Sequence, residues 1–134
     1  MKEYNLDTNI FSEYLKESND VVKTKILQES LNNKISISAI TYYEIKRGLD
    51  EKTDKYSKFL KLIESIEIIL YDDKSIFDTA AKIAQYFPKI NNTHNYRDAD
   101  ILIAALCKNK DLYLVSNDED FKDVPDLKSE NWIK

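Results

Sequence analysis

Tyr4-Asn5-Leu6-Asp7-Thr8-Asn9-Ile10-Phe11-Ser12-Glu13-Tyr14-Leu15 is the stretch that decides the fold. Tyr4 to Leu6 reads as a short strand, and a polar triplet follows it with no glycine turn. Ile10, Phe11, Tyr14 and Leu15 then recur at helical spacing. A strand that passes straight into a helix is half of a parallel βαβ unit, and here an acid stands at the joint. The same alternation runs down the chain. An amphipathic helix is expected over 20–32, with Val21, Val22, Ile26, Leu27 and Leu31 on or near one face and Asn32-Asn33 ending it through left-handed backbone. Ile35-Ser36-Ile37-Ser38 alternates as a strand does. Thr41 opens the next helix, which Gly48 caps, and a longer one follows from about Lys52. A strand over 66–71, a helix over 73–87 stopped by Pro88, a polar loop over 89–97, a helix over 98–108 and a buried strand over 112–115 come next. The stretch 124–132 adds a short edge strand.

Strands alternating with helices indicate an α/β fold, a central parallel sheet flanked by helices. At 134 residues the chain suits one domain over 1–134 and is short for two. Apolar residues make up 43%, enough for a packed core. Asp and Glu number 24 against 20 Lys and Arg, and this net charge of −4 argues against a polyanion binder held by bulk electrostatics alone. The only cysteine, Cys107, lies in an apolar run and reads as a small core residue; one cysteine leaves no intramolecular disulfide, which suits a reducing compartment. The amino-terminal residues hold no signal-peptide apolar stretch, and no segment reaches the ~20 apolar residues of a membrane span. The expectation is a soluble, cytoplasmic protein.

Four carboxylates stand where a predicted strand ends or a helix begins: Asp7, Glu44, Asp100 and Asp118. An open α/β sheet gathers such positions into one crevice at the carboxyl ends of its strands. Acids gathered there repel one another unless a divalent cation neutralises them, so a metal site is the first functional hypothesis. Each acid also has a purely structural reading. Asp7 can cap the helix after it, unless Thr8 or Asn9 does so and leaves it free to face the crevice. Thr41-Tyr42-Tyr43-Glu44 fits a capping box, with Glu44 reaching back to the Thr41 amide. Asp98 is placed to cap the helix in Arg97-Asp98-Ala99-Asp100-Ile101, and Asp100 in its first turn is favoured by the helix dipole. That helix is nearly all apolar beyond Asp100 and therefore buried, so its acidic end needs a polar partner. The dipole also favours the ionised carboxylate that a metal requires. Ser116-Asn117-Asp118-Glu119-Asp120 can be a simple turn after a strand.

Other chemistries lack their residues. His94 sits in a polar loop as a surface histidine. One Cys and one His exclude a Cys/His zinc site, and a single glycine excludes a phosphate-cradling glycine loop. Asp7-Thr8-Asn9 lacks the second aspartate of an aspartate-nucleophile phosphatase, and the paired acids of a receiver domain are missing. Hard carboxylate oxygens suit magnesium or manganese, and such ions activate water and stabilise the leaving oxygen in phosphodiester hydrolysis.

Leu6-Asp7-Thr8-Asn9, Ile40-Thr41-Tyr42-Tyr43-Glu44-Ile45 with Arg47-Gly48, Asp100-Ile101-Leu102-Ile103-Ala104-Ala105, and Leu114-Val115-Ser116-Asn117-Asp118 occur in this order. Together they resemble the PIN-domain ribonucleases, and in particular the VapC toxins of toxin–antitoxin pairs. Asp120-Phe121, Val124-Pro125-Asp126-Leu127 and Glu130-Asn131-Trp132 extend the likeness over nearly the whole chain. The resemblance implies a PIN-like α/β fold with Asp7, Glu44 and Asp100 as core acids binding magnesium or manganese. It makes Asp118 the more variable fourth acid, with Asp120 as its competitor and Asp98 as an additional acid without a firm place. Ser116 keeps a hydroxyl where the family commonly has Thr, and so can orient a water or ligand. The implied activity is endonucleolytic cleavage of RNA, transfer RNA or another structured RNA. The implied partners are a VapB-type antitoxin, whose carboxy-terminal segment covers the groove with a basic side chain near the acids, and a second copy in a homodimer. A fold of this kind that binds RNA or protein without turnover is the competing reading.

The basic surface that RNA needs can follow Glu44. Lys46, Arg47, Lys52, Lys55, Lys58 and Lys61 stand there against Asp50, Glu51 and Asp54. The alternative is an ordinary solvated helix face. Arg47, three residues beyond Glu44, can bind substrate phosphate or pair with a site acid.

Overall fold

The computed structural model of the chain describes residues 1–16, 20–90 and 98–133. Its strands are β1 (Glu3–Leu6), β2 (Lys34–Ser38), β3 (Glu67–Ile69), β4 (Tyr113–Val115) and β5 (Ser129–Glu130). They form one parallel sheet in the order β3-β2-β1-β4-β5. The helices are α1 (Thr8–Lys16), α2 (Asp20–Ser30), α3 (Ala39–Arg47), α4 (Asp54–Ile63), α5 (Lys74–Ile90) and α6 (Asp98–Asn109), and a 3₁₀ turn spans Glu119–Asp123. The expected α/β fold with a central parallel sheet is what the chain adopts.

The register places Leu6 between Ile37 and Val115. From β1 the chain winds outward to β2 and β3, then returns to lay β4 against the other side of β1. The direction of winding therefore reverses between β1 and β4, where an open sheet leaves a crevice at the carboxyl ends of its strands. Asp7 directly follows β1 and Ser116 directly follows β4. The Asp7 amide donates to the Val115 carbonyl at 3.0 Å, so this residue is tied to both strands.

Neighbouring strand residues face opposite sides of the sheet. Leu114 packs with Ile76, Ile83, Ile103 and Leu106 beneath α5 and α6. Val115 and Leu6 pack instead with Ile10, Phe11, Val22, Ile37, Phe59 and Trp132 beneath α1 to α4. Ile101 and all of Ile103 to Cys107 are buried, as the apolar run implies. Cys107 is a core side chain, and burial pushes its thiol up, away from the reactive thiolate. No helix among the described residues is long and apolar enough to cross a membrane.

Several elements differ from the sequence expectation. Helix α3 begins at Ala39, with Ser38 and not Thr41 as its cap: the Ser38 hydroxyl accepts from the Thr41 amide at 3.0 Å. The strand residue Ser38 is better placed for this than a residue already inside the turn. Helix α5 runs through Pro88 to Ile90, because a proline near a helix end removes one amide bond without ending the turn. Residues 91–97, and with them His94, lie outside the described residues. Asn32 and Asn33 hold no left-handed backbone; the positive φ angles among described non-glycine residues are at Asp111 and Asp126. Asn33 ends α2 through its side chain, donating to Glu29 Oε2 at 2.8 Å and accepting from the Lys2 amide at 2.8 Å. Only Val22 and Ile26 of that helix are buried, while Val21, Leu27 and Leu31 are exposed. Gly48 does cap α3, its amide reaching the carbonyls of Ile45 and Lys46. The short edge strand in 124–132 is β5.

Ser38→Ala is expected to lower stability by about 1 kcal/mol through loss of the α3 cap. Thermal unfolding reads this as a Tm several degrees lower, and an unchanged Tm would refute the capping role.

Candidate functional site

Asp7 is 5% exposed and is the buried acid of the crevice. Its Oδ1 accepts from the Ile10 amide at 2.8 Å, so it caps α1 itself; Thr8 and Asn9 do not take that duty. Ser116, also 5% exposed, donates its hydroxyl to the same carboxylate. Burial pushes the Asp7 carboxyl up to about 6, against the hydrogen bonds from Ser116 and Ile10, and the negative charges of Asp100 and Asp118 push it further the same way. Asp100 lies half-buried in the first turn of α6. Asp118 caps the 3₁₀ turn, its Oδ1 accepting from the Asp120 amide at 2.9 Å, while its own amide donates to Ser116 Oγ at 3.0 Å. Ser116 thus links Asp118 to Asp7: one hydroxyl accepts from the first residue's backbone and donates to the second's carboxylate.

Glu44 is positioned by a different device. Its Oε1 accepts from the Thr8 hydroxyl at 2.6 Å, and no capping box forms, since Ser38 already caps α3. Thr8 Oγ1 lies 3.2 Å from Thr41 Oγ1, and Ser38 Oγ donates to Thr41 Oγ1 at 3.3 Å. With the Thr8 proton committed to the carboxylate, Ser38 donates to Thr41, Thr41 to Thr8 and Thr8 to Glu44. This relay stitches β2, α3 and α1 together and points Glu44 at the residue next to Asp7. Buried hydroxyls in line reinforce one another in low dielectric.

The basic residues after Glu44 separate. Arg47 Nη2 stands 3.8 Å from Glu44 Oε2, with its guanidinium over Tyr43, so it pairs with a site acid. Lys46 turns back to the Tyr42 hydroxyl at 3.2 Å and lies over that ring, away from the acids. Lys58 donates to the Leu15 carbonyl at the end of α1. Lys55 reaches a cavity of about 320 Å³ that Thr8, Asn9, Ser12, Lys16, Glu44 and Gly48 also line. Asp98, the first residue of α6, lines a cleft with Phe77, Ala80 and Leu102 on the α5 side, and not the Glu44 cavity.

Asp7, Asp100, Asp118 and Ser116 therefore come to the ends of β1 and β4, and Glu44 joins through Thr8. Among the described residues, no three His, Cys, Asp or Glu side chains stand close enough together to hold a metal ion. Within the site, one oxygen of Glu44 accepts from Thr8 and one oxygen of Asp7 from the Ile10 amide. The donors present are hard carboxylate and hydroxyl oxygens, the chemistry that magnesium or manganese accepts. A carboxylate raised by burial, and further by two neighbouring acids, is also where added positive charge is favourable. Sequence reasoning missed the Ser38–Thr41 part of the relay, whose signal was the Ser-x-x-Thr spacing after a strand. It also missed Ser12 and Lys16, which no local pattern links to Glu44.

Known proteins match this arrangement along most of its length. The PIN domain family matches residues 4–127. Ribonuclease VapC2 of Rickettsia felis is 28% identical over 98% of each chain, and Ribonuclease VapC1 of Haemophilus influenzae (strain R2866) is 26% identical over 98% of each. A solved structure of VapBC2 from Rickettsia felis, bound to a DNA fragment from their promoter, superposes with a TM-score of 0.85 at 25% identity, covering 97% of this chain and 98% of that one. A family match over residues 4–127 takes in most of the chain and the segments that carry Asp7, Glu44, Asp100 and Asp118, and this chain belongs to the PIN-domain family.

Proposed function

We propose that the chain is a metal-dependent endoribonuclease, the toxin of a VapBC-type toxin–antitoxin pair, acting in the cytoplasm on RNA such as transfer RNA or another structured RNA. The observation that carries this reading is Asp7: a carboxylate at the switch point of the sheet, raised chiefly by its burial and further by Asp100 and Asp118, and held by Ser116. The relatives named as VapC ribonucleases support the reaction class, and the VapBC complex supports a VapB-type antitoxin as partner. A homodimer is part of the same proposal.

Asp7, Asp100, Asp118 and Glu44 are the proposed holders of magnesium or manganese, which when bound supplies an activated water and charge stabilisation at the leaving oxygen. Asp118 is preferred to Asp120 as the fourth acid because Asp118 acts on Asp7. Ser116 orients Asp7 and keeps its carboxylate ionised. Thr8 fixes Glu44, and Arg47 beside Glu44 limits the local negative charge that a phosphate would meet. Asn9, exposed at the start of α1, is a further candidate contact for the strand.

The test is cleavage of total RNA with magnesium or manganese, with chelator, and with neither. The expected result is defined cleavage that chelator abolishes. Protons compete with the cation for Asp7, so the magnesium needed for half-activity rises as pH falls below about 6. A flat magnesium requirement from pH 7.5 to 5.5 would remove Asp7 as a ligand. One observation favours the second reading, a catalytically silent RNA- or protein-binding module: among the described residues, no acid trio stands within ligating distance. RNA binding that persists in chelator, with no cleavage under any metal, would establish that reading instead.

A further inference from the structure

We infer that the cavity beside Glu44 is a nucleotide subsite that holds one residue of the RNA strand next to the bond to be cut. This rests on the ribonuclease reading but names a site that reading does not contain. The cavity lies between α1 and the α3–α4 segment, has a volume of about 320 Å³, and shares Thr8 and Glu44 with the acid site. Its volume falls at the small end of ligand sites, roughly 300–1,000 Å³, which suits a single nucleotide rather than a duplex.

Its lining is divided by chemistry. Leu15 and Ile45 are buried and Leu49 is half-buried, giving an apolar floor for the face of a base. Lys16 and Lys55, both exposed, contribute cationic side chains, and Asn9 and Ser12 add neutral polar groups. Lys58 fastens α4 to α1 through the Leu15 carbonyl, so the two lysine-bearing walls are held in place. A net negative chain that cleaves a polyanion needs local positive charge near its acids, and this cavity places it there.

The only glycine of the chain supports the same assignment. Gly48 has φ −91°, a backbone any residue adopts. A Cβ built there meets only the carbonyls of Ile45 and Glu44, at 3.6 and 3.7 Å, which is ordinary contact. Neither strain nor crowding demands glycine, and alanine is the better residue in helical backbone. Gly48 does line the cavity, and a side chain at this position adds bulk at its wall. The missing side chain keeps the subsite open.

Two measurements on the full chain test this. In magnesium, cleavage of a short single-stranded RNA by Lys16→Gln/Lys55→Gln is expected to show KM raised about tenfold with kcat nearly unchanged. The salt dependence of binding becomes shallower as well, its slope falling by about 0.7 for each phosphate that a lysine no longer neutralises. Gly48→Leu is expected to raise KM similarly while its Tm stays at or above the wild-type value. Lys74→Gln, on α5 beside Asp78 and outside the cavity lining, leaves KM unchanged. In chelator, fluorescence anisotropy of a labelled RNA decamer reads binding without turnover and follows the same order. No decamer binding by the wild type, or KM and affinity unchanged in both the double-lysine and Gly48→Leu variants, overturns the subsite. Absence of cleavage by the wild type with intact decamer binding instead overturns the ribonuclease reading and leaves the anisotropy series to judge the subsite.

Discussion

Asp7→Asn and Asp100→Asn are each expected to reduce RNA cleavage by at least about a thousandfold while the protein stays folded. The size follows from what the charge does. A cation at the reacting phosphate supplies several kcal/mol of transition-state stabilisation, and each 1.36 kcal/mol is about tenfold in rate. Asparagine keeps the shape of the side chain and removes the negative charge. At position 7 it remains a good helix cap, so the Ile10 amide keeps its acceptor and α1 its start. At position 100 it sits in the first turn of a helix whose burial depends on Ile101 and the residues after Ile103, which are untouched. Loss of cleavage therefore reports on the site and not on folding, and circular dichroism with thermal unfolding separates the two. Asp98→Asn is the internal comparison: that side chain lines the α5 cleft, and its variant keeps cleavage. Wild-type rates in both the Asp7 and Asp100 variants would end the assignment of these acids.

The alternation of strands and helices was legible because each apolar segment has a length and period of its own, and the parallel sheet follows from that alternation. Asp7 was legible for a topological reason: a strand passing directly into a helix puts the joint at the sheet's carboxyl edge. Its two competing readings turned out not to compete. Asp7 caps α1 with one oxygen and stands in the crevice as well. The same holds for Asp118, a turn former that also acts on Asp7. For Glu44 the local pattern misled. Thr41-x-x-Glu44 has the spacing of a capping box, but the helix starts two residues earlier, and the partner of Glu44 is Thr8, 36 positions away. Spacing along one helix cannot reveal a partner supplied by another. The basic run after Glu44 shows the same limit, because cations close in sequence separate in space. One meets Glu44, one meets Tyr42, one ties down Leu15, and Lys55 reaches the cavity with Lys16, 39 positions before it.

Asp7→Asn is also expected to be more stable than the wild type in chelator at pH 7.5, and the sign can be worked through. The Asp7 carboxyl is raised from 3.8 to about 6 in the folded protein. Below about pH 4 the group is protonated folded and unfolded, and it contributes nothing to the difference. Between about pH 4 and 6 the folded state binds more protons than the unfolded one, so stability falls as pH rises. Above about 6 both states are ionised and the destabilisation is complete. It then amounts to about 3 kcal/mol, since each tenfold change in proton affinity is worth about 1.36 kcal/mol. Asparagine has no proton to lose, so it escapes this decline. Its advantage over the wild type grows from nearly nothing at pH 4 to a Tm difference of several degrees at pH 7.5. Magnesium reverses the ranking. A cation that binds only the ionised wild-type site adds about 2.7 kcal/mol at a hundredfold excess over its dissociation constant, and the variant gains little. Thermal unfolding of both proteins, at pH 4.5 and 7.5 with and without magnesium, gives four comparisons that must fit one cause. A variant less stable than the wild type in chelator at pH 7.5, or a gap independent of pH, would mean that burial does not strain this carboxylate and that the proposed need for a counter-charge at Asp7 is wrong.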